Sequence, residues 1–462
     1  MITNSYRVDL EQIRSAAYAG YDTHLSSEID DELTRVAPKT ACGEYLRRFW
    51  HPVAISSELK DLPVAIRILG EDLILFRDQS GRVGLVHKHC PHRQASLEFG
   101  KCEQHGIRCC YHGWHYDTDG TLLDAPGQPP ALVERLKARI RLGAYPALEY
   151  QGLVFAYMGP MQHIPDLPIY DTLELPNMEM VPYKALFRCN WLQVLDAIVD
   201  PIHTSFLHSN IGRVQFSKGF GEVGQLDFFE RSAWLLGINT RRVGDNIWMR
   251  VNEFVLPNFT QAGAAFATDG RKQRYYGRSA FSRWVVPIDD ENTLALAWAN
   301  FGERGDPPEW NTPEGPALIE QGELFNRSYE QRQRSPGDAE AVEGMGSITI
   351  HKNENLVISD KGIALMRRLL RRQIRKVAKG GKPLTPMDLK PNPIPTYGGD
   401  SVLRIPAKDA DESGFLSKLA HDFMEVQYAA DDMPEKERIA FVTTKLKEIE
   451  VRENAANRQP ET

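Results

Sequence analysis

The sequence predicts an α+β protein with a small all-β domain near its front and a larger domain whose antiparallel sheet wraps around helices. Three observations predict it. The chain of 462 residues exceeds what a single core comfortably organises. Short β-rich runs separated by turns fill the stretch from Val64 to Met158. Beyond about residue 170, long strand patterns alternate with strongly amphipathic helical ones.

In order along the chain, residues 1–44 form a polar N-terminal segment, helical over 6–36, that packs on the larger domain. Residues 45–160 are the all-β unit, with strands at Val64–Leu69, Asp72–Arg77 and Val83–Val86, a Gln79-Ser80-Gly81 turn, and a last apolar strand over Gly152–Met158. Pro160, Pro165 and Pro168 mark a linker. Residues 161–433 form the larger domain. Within it, Ala233–Thr240 and Asn246–Phe254 pair around Gly244-Asp245, and Ala280–Val286 pairs with Thr293–Ala299. Met366–Val377 is a helix with Met366, Leu369, Leu370, Ile374 and Val377 on one face and five arginines on the other. Gly380-Gly381 and Pro383 end it. A charged helix over 434–452 and a frayed last ten residues make up 434–462.

Composition narrows the function classes. A net charge of −7 argues against a nucleic-acid partner. The longest apolar run, Leu153 to Met158, is too short to span a bilayer, and residues 1–40 contain no apolar signal region. A cytoplasmic location is the expectation. Six reduced cysteines in such a chain favour metal ligation over a disulfide framework, and four of them lie between Cys90 and Cys110.

Cys90-Pro91-His92 is followed, after sixteen residues, by Cys109-Cys110-Tyr111-His112. Each pair supplies one thiolate and one imidazole, which is the donor set of a Rieske 2Fe–2S centre: two thiolates on one iron, two imidazoles on the other. Zinc also takes two cysteines and two histidines, but a zinc finger draws both cysteines from one knuckle and both histidines from a helix. Cys110 is read as a small buried residue, and Cys102, His87, His89, His105 and His115 as structural or surface groups.

Asp200-Pro201-Ile202-His203 and then His208 give the spacing Asp-x-x-His-x-x-x-x-His. Two imidazoles and a carboxylate on one side of a metal, with open positions opposite, characterise non-haem Fe(II) oxygenases. The bland alternative is a satisfied polar network in an apolar stretch. Geometry sets a condition on the metal reading, because His203 and His208 would diverge by about 140° on an unbroken α-helix. The segment must bulge between them.

At these residues the sequence resembles the Rieske non-haem iron oxygenases. Arg108-Cys109-Cys110-Tyr111-His112-Gly113-Trp114 is similar to that family's second cluster loop and Cys90-Pro91-His92-Arg93 to its first. Arg47-Arg48-Phe49-Trp50-His51-Pro52-Val53, Leu69-Gly70-Glu71-Asp72-Leu73 and Cys189-Asn190-Trp191-Leu192-Gln193 are similar to its phthalate dioxygenase and dehydrodivanillate O-demethylase branch. The resemblance implies a helix-grip, START-like catalytic domain. It implies a Rieske cluster held by Cys90, His92, Cys109 and His112, and a mononuclear Fe(II) held by His203, His208 and a carboxylate. Pro336-Gly337-Asp338-Ala339-Glu340-Ala341-Val342-Glu343 resembles the segment that supplies the carboxylate, which makes Asp338 the choice over Glu340, Glu343, Glu354 and Asp360. Asp200 is implied as the electron link to a neighbouring subunit's cluster. The family's acidic-Asn pair stands here as Asp196-Ala197, so one supporting contact is missing. The loop disulfide usual in respiratory Rieske proteins is also missing, with Ala95 and Tyr111 at its positions.

Two such centres imply reductive activation of dioxygen. Neither a flavin or nicotinamide fingerprint nor a plant-type ferredoxin motif is evident, so electrons are expected from a separate NAD(P)H-dependent reductase or ferredoxin. The expected substrate is a small aromatic, carboxylated molecule, hydroxylated or O-demethylated, with a lean towards demethylation. Arg250, which shares a strand face with Trp248, Asn252 and Phe254, can be either a carboxylate grip or a surface residue. The expected assembly is a homotrimer or hexamer. Two other readings stand beside this one: a Rieske electron carrier with a non-catalytic ligand-binding domain, and a zinc-stabilised binding protein.

Overall fold

The computed structural model describes residues 10–175, 178–210, 218–263, 275–302, 327–390, 392–407 and 411–456. Residues 6–9 of the expected N-terminal helix and 457–462 of the expected frayed end lie outside them.

Three small antiparallel sheets make up the front unit. One joins Trp50–Ile55, Leu153–Tyr157 and Ala147–Tyr150; a second joins Val64–Ile68, Glu71–Arg77, Val83–His87 and Ala144–Tyr145. The third consists of the short strands Lys101–Cys102, Ile107–Arg108, His115–Tyr116 and Leu122–Asp124. Ile74, Phe76, Val86, Leu97, Ile107 and Tyr116 form a separate core beneath the cluster loops. One helix, Pro130–Arg139, interrupts the expected all-β texture. The other side of the unit merges with the large core, where Phe155 meets Trp284 edge-on at 5.4 Å. A shared apolar core of this kind fixes the two units against each other.

Among the described residues nine strands build the larger sheet: β1 (Met178–Phe187), β2 (Gln225–Arg231), β3 (Trp234–Val243), β4 (Asn246–Val255), β5 (Phe259–Ala262), β6 (Tyr276–Arg278), β7 (Phe281–Pro287), β8 (Thr293–Gly302) and β9 (Gly399–Arg404). Their order is β1-β8-β7-β5-β4-β3-β2, with β9 on β4 and β6 on β9, all antiparallel. Gly244 takes a positive φ of 60° in the β3–β4 turn, at the expected position.

Both faces of β4 are buried, and helices pack on both faces of the sheet. On one face lies the helix Trp191–Ile198 with its continuation, tied down where Asn252 Nδ2 donates to the Ile198 carbonyl (2.9 Å) and Asn239 Nδ2 to that of Pro201 (3.4 Å). On the opposite face of the sheet the helix Glu412–Tyr428, which the sequence reading missed, packs on β2 and β3, where Ser417 donates to Asp227 (2.7 Å). Lys361–Ala378 extends the expected 366–377 helix and buries all five predicted apolar positions. It approaches closely at Gly362, where a Cβ would stand 2.4 Å from the Phe228 ring.

The N-terminal expectation is corrected. Among the described residues before residue 36, only Leu10–Ser15 and Asp31–Thr34 are helical. Residues 16–25 are exposed and offer no apolar stripe to bury, and an isolated helix that buries nothing is marginal in water. Among the described residues, no helix is long and apolar enough to cross a membrane.

Candidate metal centres

The first cluster loop leaves the strand Val83–His87 and closes on itself, the Gln94 amide donating to the Cys90 carbonyl and the Cys90 amide to that of Ala95. The second sits between Ile107–Arg108 and His115–Tyr116, closed by Gly113 N to the Cys109 carbonyl and Cys109 N to that of Trp114. Gly113 makes this turn with a φ of 71°. The loops present like to like. Cys90 and Cys109 lie side by side and buried, with the Tyr116 hydroxyl 3.2 Å from the Cys90 sulfur. The His92 and His112 rings stand 4.5 Å apart, His92 stacked on Trp114 at 4.4 Å. Burial raises the Cys90 thiol above its ordinary range. A single tetrahedral ion would draw all four donor atoms to about 4 Å of one another. Among the described residues these four form no such close set, so the separate thiol and imidazole pairs fit a two-iron cluster.

Cys110 departs from expectation, being exposed rather than buried. With Cys109 turned inward on a tight loop, its neighbour points to solvent. Cys102 is buried in the core below, and His115 is engaged with Arg108 (3.3 Å) and the His105 carbonyl (2.5 Å).

The second site begins where the helix Trp191–Ile198 stops. Asp200 Oδ1 accepts the backbone amides of Ile202 (2.9 Å) and His203 (3.4 Å), and so caps the short helix His203–Ser205. The next residues, Phe206–Asn210, form a π turn. A π turn takes more residues per revolution, which brings positions five apart onto one side. This is the bulge the His203–His208 spacing demands.

His203 Nδ1 donates to the Asp200 carbonyl, which leaves Nε2 free to ligate. His203 Nε2 stands 3.5 Å and His208 Nε2 3.4 Å from Asp338 Oδ1, and the three ligand atoms lie within 4.8 Å of one another. Asp338 opens the helix Asp338–Glu343, a segment more than a hundred residues downstream. Donors at adjacent positions of a metal with bonds of about 2.1 Å stand about 3 Å apart, so the triad needs only a small contraction around an ion. Burial opposes ionisation of Asp338, but His208, His203 and Arg283 outweigh it and hold the carboxyl well below its usual range. Burial also lowers the His203 imidazole, favouring the neutral form a metal requires.

The rival carboxylates are occupied elsewhere. Glu340 pairs with Arg332 (2.6 Å) and Arg327 (3.2 Å), Glu343 accepts the Arg188 amide (2.8 Å), Glu354 pairs with Arg367 (2.6 Å), and Asp360 accepts the Val357 amide (2.7 Å). Arg250, left open between grip and surface, is buried on the sheet face beneath this site.

Sequence reasoning missed one supporting network. Asp196 lies on the helix that leads to the triad, and Arg367 reaches it at 2.5 and 3.2 Å while also holding Glu354. Burial pushes the Asp196 carboxyl up to about 6 against the pull of Arg367. Arg367→Met strands both acids, and the expected result is a loss of about 3 kcal/mol in denaturant unfolding. The acidic position of the Asp196-Ala197 pair, read without its customary asparagine, is thus anchored by an arginine.

Known proteins give the context. The family model for the Rieske [2Fe-2S] domain matches residues 49–146. The chain is 40% identical over 466 residues to the tert-butanol monooxygenase / tert-amyl alcohol desaturase oxygenase subunit of Aquincola tertiaricarbonis, covering 95% of this chain and 97% of that one. It is 34% identical over 421 residues to the 5,5'-dehydrodivanillate O-demethylase oxygenase subunit of a Sphingobium strain, covering 85% and 92%. A crystal structure of dicamba monooxygenase bound to dicamba shares the fold, with a TM-score of 0.56 at 16% identity over 72% of this chain and 99% of that one. Relatives of such length and identity, joined to a two-iron loop pair and a three-donor site, set the chain among the Rieske non-haem iron oxygenases, as an oxygenase component with a 2Fe–2S cluster and a mononuclear iron.

Proposed function

We propose that His203, His208 and Asp338 hold the mononuclear iron, that Cys90 and Cys109 hold one cluster iron and His92 and His112 the other, and that Asp200 links the two centres. The convergence of three donors from two distant segments carries this reading. When bound, the iron supplies a reducible site at which dioxygen is activated beside the substrate. The protein's own part is to orient the donors. Asp200 fixes the ring of His203 through its carbonyl and the start of the ligand helix through its carboxylate. Arg367 steadies the preceding helix through Asp196. The stacked Trp114 shields one face of His92 from water.

Electrons come from a separate reductase or ferredoxin, as in other multicomponent oxygenases. We assign the chain to the cytoplasm and to a homotrimer or stacked hexamer. Support for the assembly is the exposed cluster tip, where Tyr111 is 56% exposed and half-buried His112 stands ready to meet a neighbouring subunit.

The substrate class we favour is an aromatic acid, hydroxylated on the ring or O-demethylated. A second reading, hydroxylation or desaturation of a small aliphatic alcohol, is favoured by the chain-long similarity to the tert-butanol monooxygenase subunit. The test supplies a reductase, NADH and a panel of aromatic acids, aryl methyl ethers and tertiary alcohols to iron-loaded protein. Substrate-dependent oxygen uptake is expected, with formaldehyde release marking demethylation. An iron content of two rather than three per chain, with no uptake for any class, would refute the assignment.

A further inference from the structure

Arg241 and Arg250 leave the same face of the sheet, since Arg241 stands opposite Trp248 and Asn239 opposite Arg250 in the β3–β4 pairing. That face lies under the metal triad: Arg241 Nη2 donates to Thr204 Oγ1 (2.7 Å), and Thr204 follows His203 in the chain. The Arg241 side chain is fully buried, yet its Nε and Nη1 meet no acceptor among the described residues. Arg250 is employed differently. Its Nε donates to the Gly263 carbonyl and its Nη1 to Asn252 Oδ1, both at 2.7 Å, and Asn252 in turn holds the Ile198 carbonyl.

The surroundings restrict what can satisfy Arg241. The Phe220 and Trp248 rings lie 5.2 and 5.0 Å from its guanidinium carbon, and Arg250 rests on the same Phe220 ring at 5.3 Å. Aromatic faces cannot accept in the guanidinium plane, so a partner must come edge-on, where the planar fork matches a carboxylate. A neutral hydroxyl has fewer lone pairs and no charge to set against the buried cation. Charge points the same way. Asp400 is buried nearby, its Oδ1 accepting from Trp248 Nε1 (2.8 Å), and Glu222 is a further acid but an exposed one. With a divalent ion in the triad, the two guanidiniums and the metal exceed buried Asp400 and half-buried Asp338 in charge. Burial, with Arg250 adding repulsion, draws Arg241 down to about 9, so it remains a cation at neutral pH.

We propose that Arg241, with Arg250 behind it, is the receptor for a carboxylate on the substrate, and that this enzyme therefore selects organic acids over neutral molecules of the same shape. The proposal rests on the oxygenase reading of the triad but concerns binding, so it is testable without turnover. The probes are benzoate against benzamide and pivalate against pivalamide, titrated calorimetrically into iron-loaded protein. At least one acid is expected to bind about 100-fold more tightly than its amide, and Arg241→Gln is expected to bring acid binding down to the level of the amide. The wild-type comparison decides the matter even if the variant does not fold. Amides that bind as well as both acids, or an Arg241→Gln protein that folds and keeps the preference, would overturn the proposal. Loss of oxygen uptake with acid selectivity intact would count against the oxygenase assignment alone.

Discussion

His203→Ala is expected to reduce the iron content from three to two per chain and to lower substrate-dependent oxygen uptake at least about 1000-fold. The Rieske absorption should persist. In the proposed site His203 is one of three donors, and its Nε2 stands 3.5 Å from Asp338 Oδ1. Alanine leaves His208 and Asp338 as a two-donor site, too weak to hold iron against dialysis. The cluster loops close on hydrogen bonds and a core of their own, and His203 belongs to neither. Iron assay and visible spectroscopy on the same sample separate the two centres. Full iron retention in His203→Ala would remove this residue from the ligand set, and a bleached cluster would show that the two units do not load independently.

How much of this was legible in the sequence depends on how local each feature is. The cluster loops were read because all donors of one loop lie within a few residues of one another, and their types name the metal group. The bulge at His203–His208 was also legible, since helical geometry alone rules out an unbroken turn. Asp338 was not readable in the same way. It lies far along the chain among four rival acids, so the choice rested on the resemblance of its segment rather than on local pattern, and packing adds a physical reason: Glu340, Glu343, Glu354 and Asp360 each have another partner. A similar limit applied to the arginine face of the 361–378 helix. Periodicity marks that face as polar but cannot say what covers it. In the structure Arg371 holds Asp30 and Glu32, Arg375 holds Glu32, and Arg368 and Arg372 hold Glu230. That face is thus tied by ion pairs to the N-terminal segment and β2 while much of it stays exposed. Arg241 escaped notice because a buried arginine on a β-strand looks, in sequence, like any solvent-facing one.

Asp200→Asn is expected to separate electron transfer from everything else. Asparagine keeps an Oδ1 that can accept the Ile202 and His203 amides, so the cap survives, and the carbonyl that holds His203 Nδ1 is backbone and unaffected. Both centres should therefore load fully. What is lost is the carboxylate's charge and its second acceptor, Oδ2, which lies 3.9 Å from His203 Nδ1 and is the atom able to take a proton-bearing imidazole from another subunit. Reduction of the cluster by the reductase should proceed at its normal rate, while reoxidation of that cluster by substrate and oxygen slows by at least about 100-fold, a barrier increase of about 2.7 kcal/mol. Stopped-flow absorbance on protein reduced beforehand isolates this step. If reoxidation is unchanged with both centres intact, Asp200 is only a helix cap. If the iron is lost, its carboxylate serves the metal site directly, and the route between the centres must run through another residue.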